Sequence, residues 1–376
     1  MPAVIDAPES LTVEAFDIGP VFEFRGDLMA FGNGRRRGTD SLVAVRFLAR
    51  DGGVSWQATE DTGILEGVYV TDIVAGGPGL VAVGYMPNAS PTRAVVLTSV
   101  DGFSWLPAGG DPSRVTSVAY GQFSAVASNG ETLVAVGATF DDVNAPSSGS
   151  VWTSTDGVEW VHRSQADEPL AFPNDVIAFD GGFVAVGFNS EGPAARWSPD
   201  GIEWTIADLP VSGGARAVSA VTEASGLLVA VGDLSDHASA WTSIDGRSWT
   251  AQSVLSSSAN AQVVFPVGQN VLVAGSSYPI REPIAWISPS DALPGALPRP
   301  TPVSSPPQAP LIGQTPSPDA TPYPGGIPFY DLTIDAVLRV AGAIGMTCQS
   351  HPATIPDSPY RLFEMRCAVS RGMAEL

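Results

Sequence analysis

Two short signatures alternate along most of the chain, and a sequence that repeats itself in this way must build repeated structural units. The first is Ser-x-Asp-Gly-x-x-Trp. It reads TSVDGFSW ending at Trp105, TSTDGVEW at Trp160, WSPDGIEW at Trp204 and TSIDGRSW at Trp249, with a longer form, DGGVSW, ending at Trp56. The second ends in glycine: LMAFG at Gly32, LVAVG at Gly84 and Gly137, FVAVG at Gly187, LVAVG at Gly232 and VLVAG at Gly275. The glycines recur every 43 to 53 residues and the tryptophans every 44 to 55, interleaved.

Inside one unit, TDIVAGGPGLVAVG reads as two short apolar strands joined by a tight glycine turn. AVVLTSVDGFSWLP reads as two more, joined at Asp-Gly. No helical period runs through this region, and units of 40 to 50 residues with four strands are the blades of a propeller. The expectation is an all-β, six-bladed β-propeller over residues 1–293, with seven blades as the alternative if the amino-terminal segment forms a degenerate one. The sixth unit carries AWISPSDALPG where the others have the aspartate turn, so its outer strand is missing. Leu11 to Phe16, LTVEAF, is expected to pair there and close the ring, which would remove exposed sheet edges.

Chemistry accounts for the first signature. Asp51, Asp101, Asp156, Asp200 and Asp245 can accept hydrogen bonds from amides of their own turns, while the following glycine takes the positive φ the hairpin demands. Trp56, Trp105, Trp160, Trp204 and Trp249 each offer a flat apolar surface on the outer strand, suited to a neighbouring blade. These residues read as scaffold. Their pattern resembles the Asp-box, the BNR repeat of sialidase-like β-propellers: Asp51 to Trp56 has its spacing, and the other four copies look like a form one residue shorter. The resemblance implies the fold over residues 11 to 293 or so. It leaves activity open, because Asp-boxes also occur in propellers that hydrolyse nothing.

Turns inside the strand pairs should share one rim, and the segments between pairs the other. NGRRRGTD, YMPNASPTR, ATFDDVNAPSSGS, FNSEGPAAR, DLSDHAS and SSYPIRE vary in length and composition, as binding loops on a rigid frame do. Thirteen positions before each repeat glycine stand Gly19, Thr71, Ser124, Asn174, Ser219 and Gln262. With Asp72 and Asp175 they are expected to ring the channel mouth as a polar socket for a hydroxylated ligand, or as a water-lined channel. Arg35, Arg36 and Arg37 form the one basic cluster and a candidate loop patch for an anion.

A sialidase-type hydrolase needs three convergent arginines and a tyrosine nucleophile with its glutamate. The family's Phe-Arg-Ile-Pro motif is matched only by its first two residues, Phe24 and Arg25. A carboxylate-pair mechanism needs two acids close together, and Asp72 and Asp175 fall in blades two and four. His162, His237 and His351 lack metal-ligand spacing, so no metal and no cofactor is expected. The reading is a monomeric, non-catalytic module that takes a glycan or protein ligand, with a divergent glycoside hydrolase as the alternative.

All 18 basic residues are arginine against 39 carboxylates, a net charge of −21 that repels phosphate backbones and excludes nucleic acid as a partner. No apolar run of membrane-spanning length occurs, and the first residues have no secretory signal pattern. Residues 294–328 hold 12 prolines among Thr, Ser, Gly and Ala and read as an extended linker. Such a spacer favours display outside the cell or at its surface, a cytoplasmic tether being the alternative. In residues 329–376, Thr333 can cap a helix through Ile344, RLFEMRCAVS reads as a strand, and the segment reads as an incomplete domain. Cys348 and Cys367 fit a disulfide in an oxidising compartment or two thiols in a reducing one.

Overall fold

The computed structural model describes residues 4–6, 13–25, 27–36, 42–50, 55–61, 65, 67–108, 120–140, 148–163, 172–210, 215–234, 237–252, 256–257, 259–267, 270–277, 283–289, 346–353 and 362–369. They form six sheets, I to VI, following one another in chain order. Sheet II shows the plan. Tyr69–Gly76, Gly79–Met86, Arg93–Ser99 and Leu106–Pro107 pair as an antiparallel meander. The first strands of the others are Val13–Phe24 in I, Tyr120–Ser128 in III, Phe172–Phe179 in IV, Ala215–Ala224 in V and Ala259–Val267 in VI.

Valine, isoleucine and aromatic residues fill these strands because their branched or flat side chains suit a pleated, half-buried surface. The turns between first and second strands have the chemistry that pairs right-twisted strands. Asp180 and Gly181 take φ of 50° and 75°, and Ser225 and Gly226 take 56° and 80°.

The apolar core is not one mass. It is divided among the contacts between successive sheets and one cluster within sheet I, formed by Ala30, Val45, Phe47 and Trp56. Phe31 and Ala44 of I meet Leu80 and Leu97 of II, while Val81 and Val96 of II meet Phe123 and Trp152 of III. Val134 and Val151 of III meet Val176 and Phe183 of IV, Val186 of IV meets Trp241 of V, and Val231 of V meets Trp286 of VI. First strands of successive sheets also lie against each other from I through VI. Sheets stacked face to face in chain order, with their first strands adjacent, are the arrangement of a β-propeller.

Two expectations about the ends change. Val13 to Phe16 do not join the sixth sheet. They open the first strand of sheet I, paired with Asp27–Arg36, and Val4–Asp6 runs parallel to Ser55–Asp61 in the same sheet. The outer place of sheet VI is taken by Leu362–Val369, antiparallel to Pro283–Pro289, with Met346–Ala353 beyond it. The physical reason is the open edge of Pro283–Pro289, whose backbone groups need a partner. In that last hairpin Cys348 stands directly opposite Cys367; their side chains, like the linker 294–328, the helix expected from Thr333 and the turn at Asp51, lie outside the described residues. Among the described residues no helix is long and apolar enough to cross a membrane.

Candidate functional site at the first-strand bulges

Each first strand breaks register with its second strand at the same point. The shift falls at Ile18/Val21, Val70/Asp72, Phe123/Ala125, Pro173/Asp175, Val218/Ala220 and Ala261/Val263. The residues left over are Gly19 with Pro20, then Thr71, Ser124, Asn174, Ser219 and Gln262, the positions picked out by their offset from the repeat glycines. They are the bulge residues. The glycines themselves stand opposite the residue before each bulge, as in Val70 with Gly84 and Pro173 with Gly187. A Cβ on Gly84 would run into the carbonyl oxygen of Tyr69, and one on Gly137, Gly187, Gly232 or Gly275 into that of Gln122, Phe172, Ala217 or Asn260. The second signature therefore ends in glycine because the bulge turns a carbonyl onto its Cα.

Bulging aims side chains at the next sheet. Thr71 Oγ1 lies 3.1 Å from the carbonyl oxygens of both Val83 in its own sheet and Phe123 in sheet III. Asp72 accepts from Ile73 N at Oδ1 and from Val126 N of sheet III at Oδ2, both at 2.8 Å. Sheet IV repeats this toward sheet V. Asn174 Nδ2 donates to Val218 O at 2.8 Å, and Asp175 accepts from Val176 N at 2.7 Å and Val221 N at 2.8 Å. Sheets III and V have Ala125 and Ala220 where II and IV have these acids. Between V and VI the bond comes from another position, with Ala261 N donating to Asp233 Oδ1 at 3.1 Å.

Burial pushes the Asp72 carboxyl up to about 7, and the charge of Asp175 adds to the rise against the pull of its two amide donors. Burial likewise lifts Asp175 to about 6. The two acids stand two sheets apart, in II and IV. Acids shifted in this way mark candidate chemistry, yet every one of their four oxygens already accepts a backbone N–H.

The aspartate turns behave differently. Asp101 Oδ1 accepts from Ser104 N at 2.7 Å and Phe103 N at 2.8 Å, which hold its carboxyl down to about 2. Asp156 is lowered chiefly by Glu159 N; Asp200 and Asp245 are lowered by their turn amides, which outweigh burial. Ser99 Oγ accepts from Gly102 N at 2.8 Å, and Trp105 Nε1 donates to Gly102 O at 3.2 Å, with the same bonds in the next three copies. Gly102 has φ of 78°. Trp105 meets Phe31 of sheet I edge to face at 5.4 Å, and Trp249 packs with Val184 of sheet IV. These four tryptophans sit just ahead of the short outer strand rather than on it. A Cβ on Gly102, Gly157, Gly201 or Gly246 would touch Met29, Val81, Val134 or Val184, so each turn seats on the glycine-ending signature of the sheet before it.

The remaining candidates disperse. Arg35 and Arg36 end the second strand of sheet I instead of lying in a loop, and Arg37 is outside the described residues. Arg25 sits at the first turn of sheet I and donates to Val100 O at 3.1 Å. His162 lies against Trp152, and burial lowers its pKa.

No protein-family model matches the chain. No curated protein matches it either. Solved structures similar to it include a glycosyl hydrolase from Bacteroides ovatus, at 9% identity over 64% of this chain and 84% of that one, with a TM-score of 0.39. The Aleuria aurantia lectin in complex with Fucalpha1-6GlcNAc is similar at 12% identity over 71% of this chain and 94% of that one, with a TM-score of 0.43. The phage phi92 endosialidase is similar at 12% identity over 74% of this chain and 55% of that one, with a TM-score of 0.41.

Proposed function

We propose that the chain is a non-catalytic binding module: a six-bladed, closed Asp-box propeller that takes a glycan or a protein through its variable loop face, displayed outside the cytoplasm on the Pro-rich segment. The observation that carries this reading is the use made of the acids. Asp72 and Asp175 spend both oxygens on backbone amides, and the turn aspartates spend Oδ1 inside their own turns. A general acid or nucleophile needs an oxygen aimed at substrate. The turn rim is likewise engaged in seating one sheet on the next, which leaves the loop face for recognition.

A second reading, a divergent glycoside hydrolase, is supported by the same two acids, since carboxyls lifted to about 7 and about 6 and coupled by charge suit proton transfer near neutrality.

The test is a glycan array run beside a fluorogenic glycoside panel, on the full chain because sheet VI draws its outer strand from Leu362–Val369. Binding without turnover, weakened in an Arg35→Ala, Arg36→Ala, Arg37→Ala variant that keeps its fold, is the expected result. Turnover abolished by Asp72→Asn would replace this reading by the hydrolase.

A further inference from the structure

We propose that a cavity on the loop side of sheet II is a binding site for a carboxylate carried on an apolar stem, a site separate from the bulge residues and not dependent on the glycan reading. The cavity encloses about 380 Å³, and its lining includes Val68, Ala89, Ser90, Arg93, Val95 and Leu97. That volume lies at the small end of the roughly 300–1,000 Å³ of ligand pockets.

Its two ends differ in chemistry. The floor is buried and apolar, made by Val68, Val95 and Leu97. The mouth is exposed and carries Arg93 and the Ser90 hydroxyl. Among the described residues no carboxylate pairs with Arg93, on a chain whose net charge is −21. A guanidinium left unpaired at the lip of an apolar hole recognises a single carboxylate with two parallel N–H donors, while the hole excludes water from the stem behind it. A sugar would have to bury ring hydroxyls against a floor whose side chains offer no hydrogen-bond partner.

The walls are also held in place before any ligand arrives. Met86 pairs with Arg93 at the end of the second and third strands. Ala89 N donates to Met86 O at 3.2 Å, and Gly121 N of sheet III donates to Thr92 O at 3.2 Å, pinning the loop on both sides. Val68 N donates to Leu65 O at 3.0 Å on the opposite wall. A preformed site loses little conformational freedom on binding.

The ligand chemistry has two sources, a free fatty acid or the carboxy-terminal residue of a peptide, and calorimetry on the full chain separates them. The probes are octanoate against octan-1-ol, and a leucine-ended peptide with a free against an amidated terminus. At least one acid should bind about tenfold or more tightly than its neutral partner, the worth of a charge-assisted hydrogen bond. Arg93→Met, which keeps the apolar stem, should erase that preference, and Ala89→Phe should block binding by filling the mouth. Octanoate alone binding identifies a fatty acid, and the free peptide binding identifies a chain terminus; either supports the site. Equal binding of acid and neutral probes, no binding of any, or a preference that survives Arg93→Met overturns it. A silent glycan array with this preference intact would sink the glycan reading and leave the site standing.

Discussion

The backbone N–H of Val126 in sheet III donates to Oδ2 of Asp72 in sheet II at 2.8 Å, so a carboxyl on one sheet serves as acceptor for the next. Val221 and Asp175 stand in the same relationship between sheets V and IV. The clasp skips sheets III and V, where alanine occupies the position, which gives the array an alternation that its apolar repeat does not have.

Removing a clasp should loosen one junction. Asp72→Ala leaves Val126 N–H without its acceptor, and an unsatisfied buried donor costs about 1–3 kcal/mol. Urea unfolding of Asp72→Ala and Asp175→Ala at pH 4.5, where both acids keep their proton in the folded chain, should show losses of that size. A change within error in both would contradict the clasp.

Stability should fall as pH rises from about 4 toward 7. Both acids bind their proton more tightly in the folded chain, at about 7 and about 6 against an ordinary 3.8. Their contribution is complete below about 4 and lost through the folded values, at up to about 1.4 kcal/mol per pH unit for each acid. Asp101, held to about 2, acts in the opposite sense and loses its contribution as pH falls from about 4 to 2. Unfolding free energies at pH 4.5, 6 and 7.5 should therefore decline in that order, and Asp72→Asn with Asp175→Asn should flatten the decline. A wild-type stability that rises over this range would show the burial of these acids to be wrong.

Two glycines should respond unequally to alanine. Gly187→Ala drives a methyl into the Phe172 carbonyl, a backbone atom that cannot move aside, and should cost about 3 kcal/mol. Gly181→Ala meets open space and carries only the penalty of its φ of 75°, about 1 kcal/mol. Thermal melts of the pair check the order, and equal losses would remove the steric account of the second signature.

Cutting the chain after residue 293 should uncover the edge of Pro283–Pro289. Light scattering is expected to find self-association in the truncated chain and less in the full one. A truncated chain as stable and monodisperse as the full one would show that Leu362–Val369 is dispensable.

The turn chemistry was legible because it is local: Asp101, its two amide partners and Gly102 fall within four residues, and the structure has the bonds that those residue types imply. The polar row at Thr71, Ser124, Asn174, Ser219 and Gln262 was also visible as a fixed offset. Its meaning was not, because a bulge is a property of pairing with another strand, and Asp72 shows its use only once Val126 stands beside it. The outer strand of sheet VI was illegible for a related reason. Ile284 and Arg366 pair across a long Pro-rich interval, and no periodicity records a contact between residues so far apart in the chain.

We propose that Asp72 and Asp175 hold sheets together and turn nothing over. The most direct measurement is the hydrolysis rate of a fluorogenic glycoside panel between pH 5 and 8, on the full chain and on the Asp72→Asn, Asp175→Asn double variant. The expectation is a background rate for both proteins at every pH. A wild-type rate above background that follows ionisations near 6 and 7 and vanishes in the variant would contradict it.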